Sequence, residues 1–299
     1  MTATFTDSRI YLKLTATAVI WGGTFIAGRI AVQSIGPFTA AFLRLAIASI
    51  ALWFVVYRTH GCVPKLSSPQ YRIVLLLGLS GIFGYNALFF GGLQTVEAGR
   101  ASLIIALNPV VIAMGAALFL KESLSWRKGV GILISLLGAA WVISRGELIS
   151  LIVNPNDIFG LGEVMVFGCV LSWMSYILIG KAVMHTLSPL LASAYACWMG
   201  TLLLLPAAIH EGLLEAVSTL RPEAMLSVMY LGILGSAVGF CWYYDGLKAI
   251  GSAKASAFIN LVPVSAITLA AVVLGEPLTP SLAIGAMLVV LGVSITNRA

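Results

Sequence analysis

The chain has 299 residues, of which 60% are hydrophobic and only 9% charged, with a mean hydropathy of +1.03. Such an apolar excess excludes an ordinary soluble domain and describes a chain solvated by lipid. The formal net charge of +6 requires no nucleic-acid partner, because cytoplasmic basic residues and anionic membrane lipid account for it.

A bilayer core about 30 Å thick takes roughly 20 apolar residues of helix, and ten runs of about that length follow one another. The first, 12–30, is flanked by Arg9 and Lys13. It is too long for a signal peptide and precedes further runs of the same kind, so it is read as a retained helix. Runs 38–57, 73–90, 101–120 and 129–144 follow, then 158–180, 189–209, 224–247, 255–274 and 281–296. The breaks between them, such as "TVEAG", "KESLSWRK", "NPND" and "GEPLTP", leave no room for an extramembrane domain. β-barrel strands would alternate in polarity instead. The expected fold is an all-α membrane protein with ten transmembrane helices.

Orientation follows from Lys and Arg, which stay on the cytoplasmic side of short loops. With the N-terminus inside, only Arg29, Arg44, Arg100, Arg145 and Arg221 of the 17 basic residues avoid the cytoplasmic ends. Both termini are therefore expected in the cytoplasm.

The fourth run opens as "RASLIIALNP" and the ninth as "KASAFINLVP", 154 positions later. At that offset Pro109, Glu122, Gly131 and Gly138 meet Pro263, Glu276, Gly285 and Gly292, while Gly78, Gly81 and Gly92 meet Gly232, Gly235 and Gly246. Nearer the start, Trp21, Gly28, Arg29 and Pro37 meet Trp173, Gly180, Lys181 and Pro189 at an offset of 152. The chain is expected to be two copies of a five-helix unit, residues 1–150 and 151–299, joined near "VNPND". An odd number of helices per copy inverts the second relative to the first, the arrangement in which transporters expose one central site alternately to two sides.

Several residues are candidates for that site. Pro109 and Pro263 lie about 13 Å into their helices, where each removes an N–H and disturbs the carbonyl four residues earlier. Freed backbone there must face protein, water or substrate. Asn108 adjoins one proline and Asn260 lies one turn from the other, while Ser102 and Ser256 mark the repeated "AS" pair, so Pro109, Pro263, Ser102 and Ser256 are candidate kink or gating positions. Trp21 and its mate Trp173 fall about halfway along their runs, away from the interfacial belts where membrane Trp gathers. Trp173 and Tyr176 share a helix face, and Tyr85 and Asn86 adjoin in the third run. Trp21, Tyr85, Asn86, Asn108, Trp173, Tyr176 and Asn260 are thus candidate substrate contacts; Tyr243 and Tyr244 are weaker ones. Small-residue stretches such as "GLSGIFG" and "LGILGSAVG" permit close, sliding helix packing.

Intramembrane charge, the usual sign of function, is sparse. Arg44 is expected to snorkel to the outer interface, and Glu163 and Asp245 to be solvated at helix ends. Cys62, Cys169, Cys197 and Cys241 show neither disulfide nor metal spacing and are expected to be apolar fillers. The His residues offer no catalytic motif; no catalytic residue, metal or cofactor is expected.

The paired repeats, the Trp-bearing "VIWGGTFIAGR" and "LSWMSYILIGK", the "RAS…NP" and "KAS…VP" segments, and the "KESLSW" and "GEPLTP" turns resemble the EamA-type branch of the drug/metabolite transporter superfamily. The resemblance implies a ten-helix exporter of amino acids or related small metabolites in the bacterial inner membrane. Its expected partners are the small-molecule substrate and membrane lipid, and one chain is expected to be the functional unit. A phosphate or nucleotide-sugar exchanger would want several central Lys or Arg, and a multidrug cation exporter a deeply buried Glu.

Overall fold

The computed structural model describes residues 3–149, 160–183, 187–250, 255 and 258–298. Ser256, Lys254 and the "VNPND" junction lie outside the described residues, as do the side chains of Tyr244 and Lys248.

All regular structure among the described residues is helical. The first half comprises α1 (Ala3–Ser34), α2 (Pro37–His60), α3 (Ser68–Leu77), a π-helical segment π1 (Gly78–Gly84), α4 (Tyr85–Leu93), α5 (Ala98–Ile105), α6 (Asn108–Leu120) and α7 (Trp126–Ile143). The second comprises α8 (Leu161–Val183), α9 (Pro189–His210), the short α10 (Leu213–Ser218), α11 (Pro222–Met229), π2 (Tyr230–Val238), α12 (Gly239–Ile250), α13 (Leu261–Leu269), π3 (Ala270–Leu274) and α14 (Pro280–Arg298). Among the described residues, nine helical stretches are long and apolar enough to cross a bilayer. The chain is therefore a multi-pass membrane protein. The expected ninth crossing, 255–274, differs from the other nine: its described continuous part is the shorter apolar stretch Leu261–Leu274.

Helix starts follow local chemistry. Pro37, with no N–H to leave unpaired, opens α2. Ser67 and Gln70 form a capping box at α3, with the Ser67 N–H bonding Gln70 Oε1 at 2.8 Å. Ser125 accepts from the Lys128 N–H at 3.2 Å to start α7. At the C-terminal end of α6, Lys121 adopts φ +54°, and at the matching end of π3, Gly275 adopts φ +68°. One cap uses the residue that tolerates the left-handed region and the other does not.

Packing pairs elements from opposite halves. α1 lies against α13 and α12, as α8 lies against α6 and α4; α2 contacts π2, as α9 contacts π1. α2 packs on α9, and α7 on α14. The last crossing has no room for side chains: a Cβ added at Gly138 would lie 2.7 Å from Leu288 Cβ and 2.8 Å from the Val289 nitrogen. Small residues let membrane helices approach to this distance.

Candidate functional site

The candidate aromatics Trp21, Tyr85 and Trp173 sit where helices of the two halves meet. Trp173 is midway along the crossing Leu161–Lys181. Its ring stacks on Tyr176 at 5.1 Å and meets Tyr85 edge-on at 5.5 Å. Tyr85 stacks in turn on Phe89 at 5.9 Å, and Phe89 meets Phe25 of α1 at 5.5 Å. Offset and edge-to-face pairs of this kind add to the stabilisation from burial. Three expected site aromatics, Tyr85, Trp173 and Tyr176, are thereby in one row.

Trp21 is elsewhere. Its ring packs against Phe240 at 5.5 Å and Tyr243 at 5.3 Å on α12, and its indole N–H bonds the Gly235 carbonyl at 3.0 Å. Phe25, one turn along α1, links this group to the first row. The bond to Gly235 has a physical reason. A π-helical turn displaces carbonyls from the ordinary ladder, and Gly235 lies within π2. In π1, the Ser80 carbonyl likewise accepts from Ser172 Oγ of α8 at 2.5 Å. Both π1 and π2 are thus tied by a side chain from the other half of the chain.

Asn86 is buried, at 4% exposure; its Nδ2 donates to the Ile82 carbonyl at 2.8 Å and its Oδ1 accepts from Arg44 Nη1 at 3.4 Å. Arg44 therefore does not snorkel outward as expected. Its guanidinium turns across to α4, with Cζ 5.9 Å from the centre of the Phe89 ring, because Asn86 and Phe89 offer an acceptor and an aromatic face at one spot. This is the residue that sequence reasoning undervalued; its position inside an apolar run was the available signal.

Asn108 carries a buried Oδ1 with no partner among the described residues. Asn260, by contrast, donates through Nδ2 to Ser294 Oγ of α14 at 3.1 Å, a tie between helices. Ser102, fully buried, donates to the Gly99 carbonyl at 2.7 Å within its own helical turn. The fourth crossing breaks at Ala106 and Leu107, so α6 restarts at Asn108 with Pro109 in its first turn. There the missing N–H costs nothing. Pro263 is likewise near the start of α13, after a turn at Asn260.

Two ion pairs flank these elements. Glu276 Oε1 and Oε2 accept from the backbone N–H groups of Ala98 (2.8 Å) and Gly99 (3.0 Å) at the start of α5, and Arg29 Nε lies 3.6 Å from Oε1. This pair is largely buried, at 19% and 11% side-chain exposure. Lys181 pairs with Glu122, and both are about half exposed, at 53% and 47%. Arg29 matches Lys181 and Glu276 matches Glu122 in the internal repeat, so equivalent residues form equivalent pairs in different degrees of burial.

Glu163 is not solvated as expected but lies 3.6 Å from Arg100, which also donates to the Ile143 carbonyl at 2.8 Å. Asp245 meets Lys13 at 2.5 Å near the surface. Cys169 and Cys197 are buried, whereas Cys62 and Cys241 are exposed.

The profile of the EamA-like transporter family matches residues 8–144 and again residues 160–298. This chain belongs to the EamA-like transporter family. Among its relatives, it is 28% identical to the "uncharacterized transporter YyaM" of Bacillus subtilis, over 95% of this chain and 92% of the relative. It is 30% identical to a "probable terminal-alkyne amino-acid exporter" of Streptantibioticus cattleyicolor, over 97% and 94%. An "uncharacterized transporter" of Archaeoglobus fulgidus is 29% identical over 97% and 98%. A crystal structure at 20% identity superposes with a TM-score of 0.64 over 97% of both chains and shares the fold.

Proposed function

We propose that this member of the EamA-like family is a secondary transporter that exports amino acids and related small metabolites across the bacterial inner membrane. It works by alternating access to a central cavity between two inverted five-helix repeats, residues 1–150 and 151–299, with both termini cytoplasmic and one chain as the working unit. The observation that carries this reading is the meeting of Arg44, Asn86, Tyr85 and Trp173 within apolar crossings. Amide and guanidinium groups hold a zwitterion, and the aromatic faces take its side chain. The Streptantibioticus relative's name supports the substrate class.

Exchange of exposure between the two sides is supported by the paired contacts and by the unequal ion pairs. Arg29–Glu276, buried and fastened to α5, acts as the closed latch; Lys181–Glu122, exposed, acts as the opposite latch. Rocking one half against the other exchanges their roles.

Uptake by proteoliposomes of a panel of radiolabelled amino acids, with sugar phosphates and cationic dyes as competitors, tests the reading. Saturable flux of amino acids is expected. Flux of dyes or sugar phosphates alone would assign the chain to a multidrug or sugar-phosphate carrier instead.

A further inference from the structure

Arg44 is the eighth residue of the crossing Pro37–His60, about 10 Å along it at 1.5 Å per residue. Among the described residues no carboxylate pairs with it; the ion pairs there belong to Lys13, Arg29, Arg100 and Lys181. Its Nε is buried and has no hydrogen-bond partner among the described residues. Its guanidinium makes one long bond to Asn86 and lies over the Phe89 face. A guanidinium carries five N–H donors and a full positive charge, so these contacts leave most of its capacity unused in an apolar setting where an uncompensated charge is costly.

Packing does not require an arginine there. The Arg44 carbonyl would lie 3.1 Å from a Cβ at Gly232, and the Ala196 carbonyl 3.0 Å from a Cβ at Gly78. These are one backbone crossing made twice, α2 on π2 and α9 on π1, and the second is built with alanine. Arg44 is therefore present for the chemistry of its side chain.

We propose that Arg44 binds the carboxylate of the transported molecule, with Asn86 orienting the guanidinium and Tyr85 and Phe89 walling the site. The planar fork of donors matches a carboxylate in geometry and sign. The assignment rests on the amino-acid reading and narrows it: the recognised group is the carboxylate, so an amide or amine with the same side chain is rejected.

The test uses the full chain in proteoliposomes, with leucine, leucinamide and 4-methylpentanoate as probes. In the unaltered protein, leucinamide is expected to compete with radiolabelled leucine at least about tenfold more weakly than leucine itself, the scale of one good charge-assisted contact. Arg44→Gln is expected to weaken leucine by a similar factor and to bring leucine and leucinamide within about threefold, while Arg44→Lys keeps part of the preference. Equal competition by leucine and leucinamide in the unaltered protein overturns the proposal, as does an Arg44→Gln protein with unchanged leucine affinity and selectivity. If no amino acid is carried, the function proposed above falls. The site is then read by Trp-fluorescence titration with 4-methylpentanoate, where binding that Arg44→Gln abolishes upholds the carboxylate site and equal titration in both proteins refutes it. Should Arg44→Gln not survive purification, the comparison of probes on the unaltered protein decides.

Discussion

Replacing Glu276 with Ala removes three interactions at once. Two are hydrogen bonds from the Ala98 and Gly99 N–H groups, at 2.8 and 3.0 Å, and the third is the Arg29 pair at 3.6 Å. Hydrogen bonds to a charged group contribute about 1.5–3 kcal/mol each, so the two amides alone account for roughly 3–6 kcal/mol. Arg29 keeps its bond to the Val96 carbonyl but loses its counter-charge, which adds to the loss. Two other carboxylates calibrate this. Glu211 accepts from the Phe38 and Thr39 N–H groups at 3.3 and 2.7 Å, and no cation pairs with it among the described residues. With one good bond and one long one, Glu211→Ala is expected to cost about 1.5–3 kcal/mol. Glu122→Ala breaks an exposed pair and is expected to cost about 0–1 kcal/mol. Unfolding in mild detergent, followed by Trp fluorescence, should therefore rank the destabilisation as Glu276, then Glu211, then Glu122. Glu276→Gln retains one acceptor oxygen and should fall between Glu276→Ala and the unaltered protein. A Glu276→Ala midpoint indistinguishable from that of Glu122→Ala would refute the buried latch.

Gly138→Leu drives a side chain into the Leu288–Val289 backbone of α14; a loss of about 1–3 kcal/mol or more is expected in the same unfolding assay. Lys121→Gly relieves a left-handed cap at φ +54° and is expected to raise the midpoint, by about 1 kcal/mol, without altering transport. Trp173→Ala and Tyr85→Ala remove partners of one aromatic row and are expected to weaken substrate affinity about two- to tenfold in proteoliposomes, the scale of a single aromatic contact. Trp21→Ala also unties π2 through the lost bond to Gly235, so it should lower thermal stability as well as transport.

The helical crossings were legible because a hydrocarbon layer demands long apolar runs, although apolarity alone starts the third and fifth runs at 73 and 129 and misses the polar caps Ser67 and Ser125 that start α3 at Ser68 and α7 at Trp126. The breaks were less so. A proline at position 109 predicts a disturbed helix, but whether the chain bends through the proline or restarts before it depends on what surrounds Ala106 and Leu107. The row Tyr85–Trp173–Tyr176 was half visible: Trp173 and Tyr176 are spaced to share a face, whereas Tyr85 joins them only through packing between α4 and α8. Trp21 could not be placed from spacing, because its partners Gly235, Phe240 and Tyr243 lie more than 200 residues away. Arg44 misled for a related reason. A helical side chain leans toward the helix N-terminus, which for α2 is the expected outer end, and only the tertiary neighbour Asn86 turns it inward.

Positions related by the internal repeat of the sequence differ in how far they keep their identity. Trp21 and Trp173, Gly78 and Gly232, Pro109 and Pro263, and Glu122 and Glu276 keep their identities. Each pair recurs in a comparable setting: Trp beside the third helix of the other half, Gly under a crossing backbone, Pro in the first turn or two after a break, Glu paired with a cation. Identity is lost at many other positions, among them Asn108 (Val262) and Lys121 (Gly275), and it is lost throughout the cluster around Arg44. Arg44 corresponds to Ala196, Tyr85 to Gly239, Asn86 to Phe240 and Phe89 to Tyr243, and the four first-half residues are mutual neighbours around one guanidinium. Under the proposed rocking cycle, duplicate parts serve a scaffold whose halves perform each other's motion in reverse. A substrate that presents one carboxylate and one side chain is not symmetric, and a site that recognises it needs its cation on one side only. Loss of the repeat throughout this cluster is what the proposed carboxylate site requires.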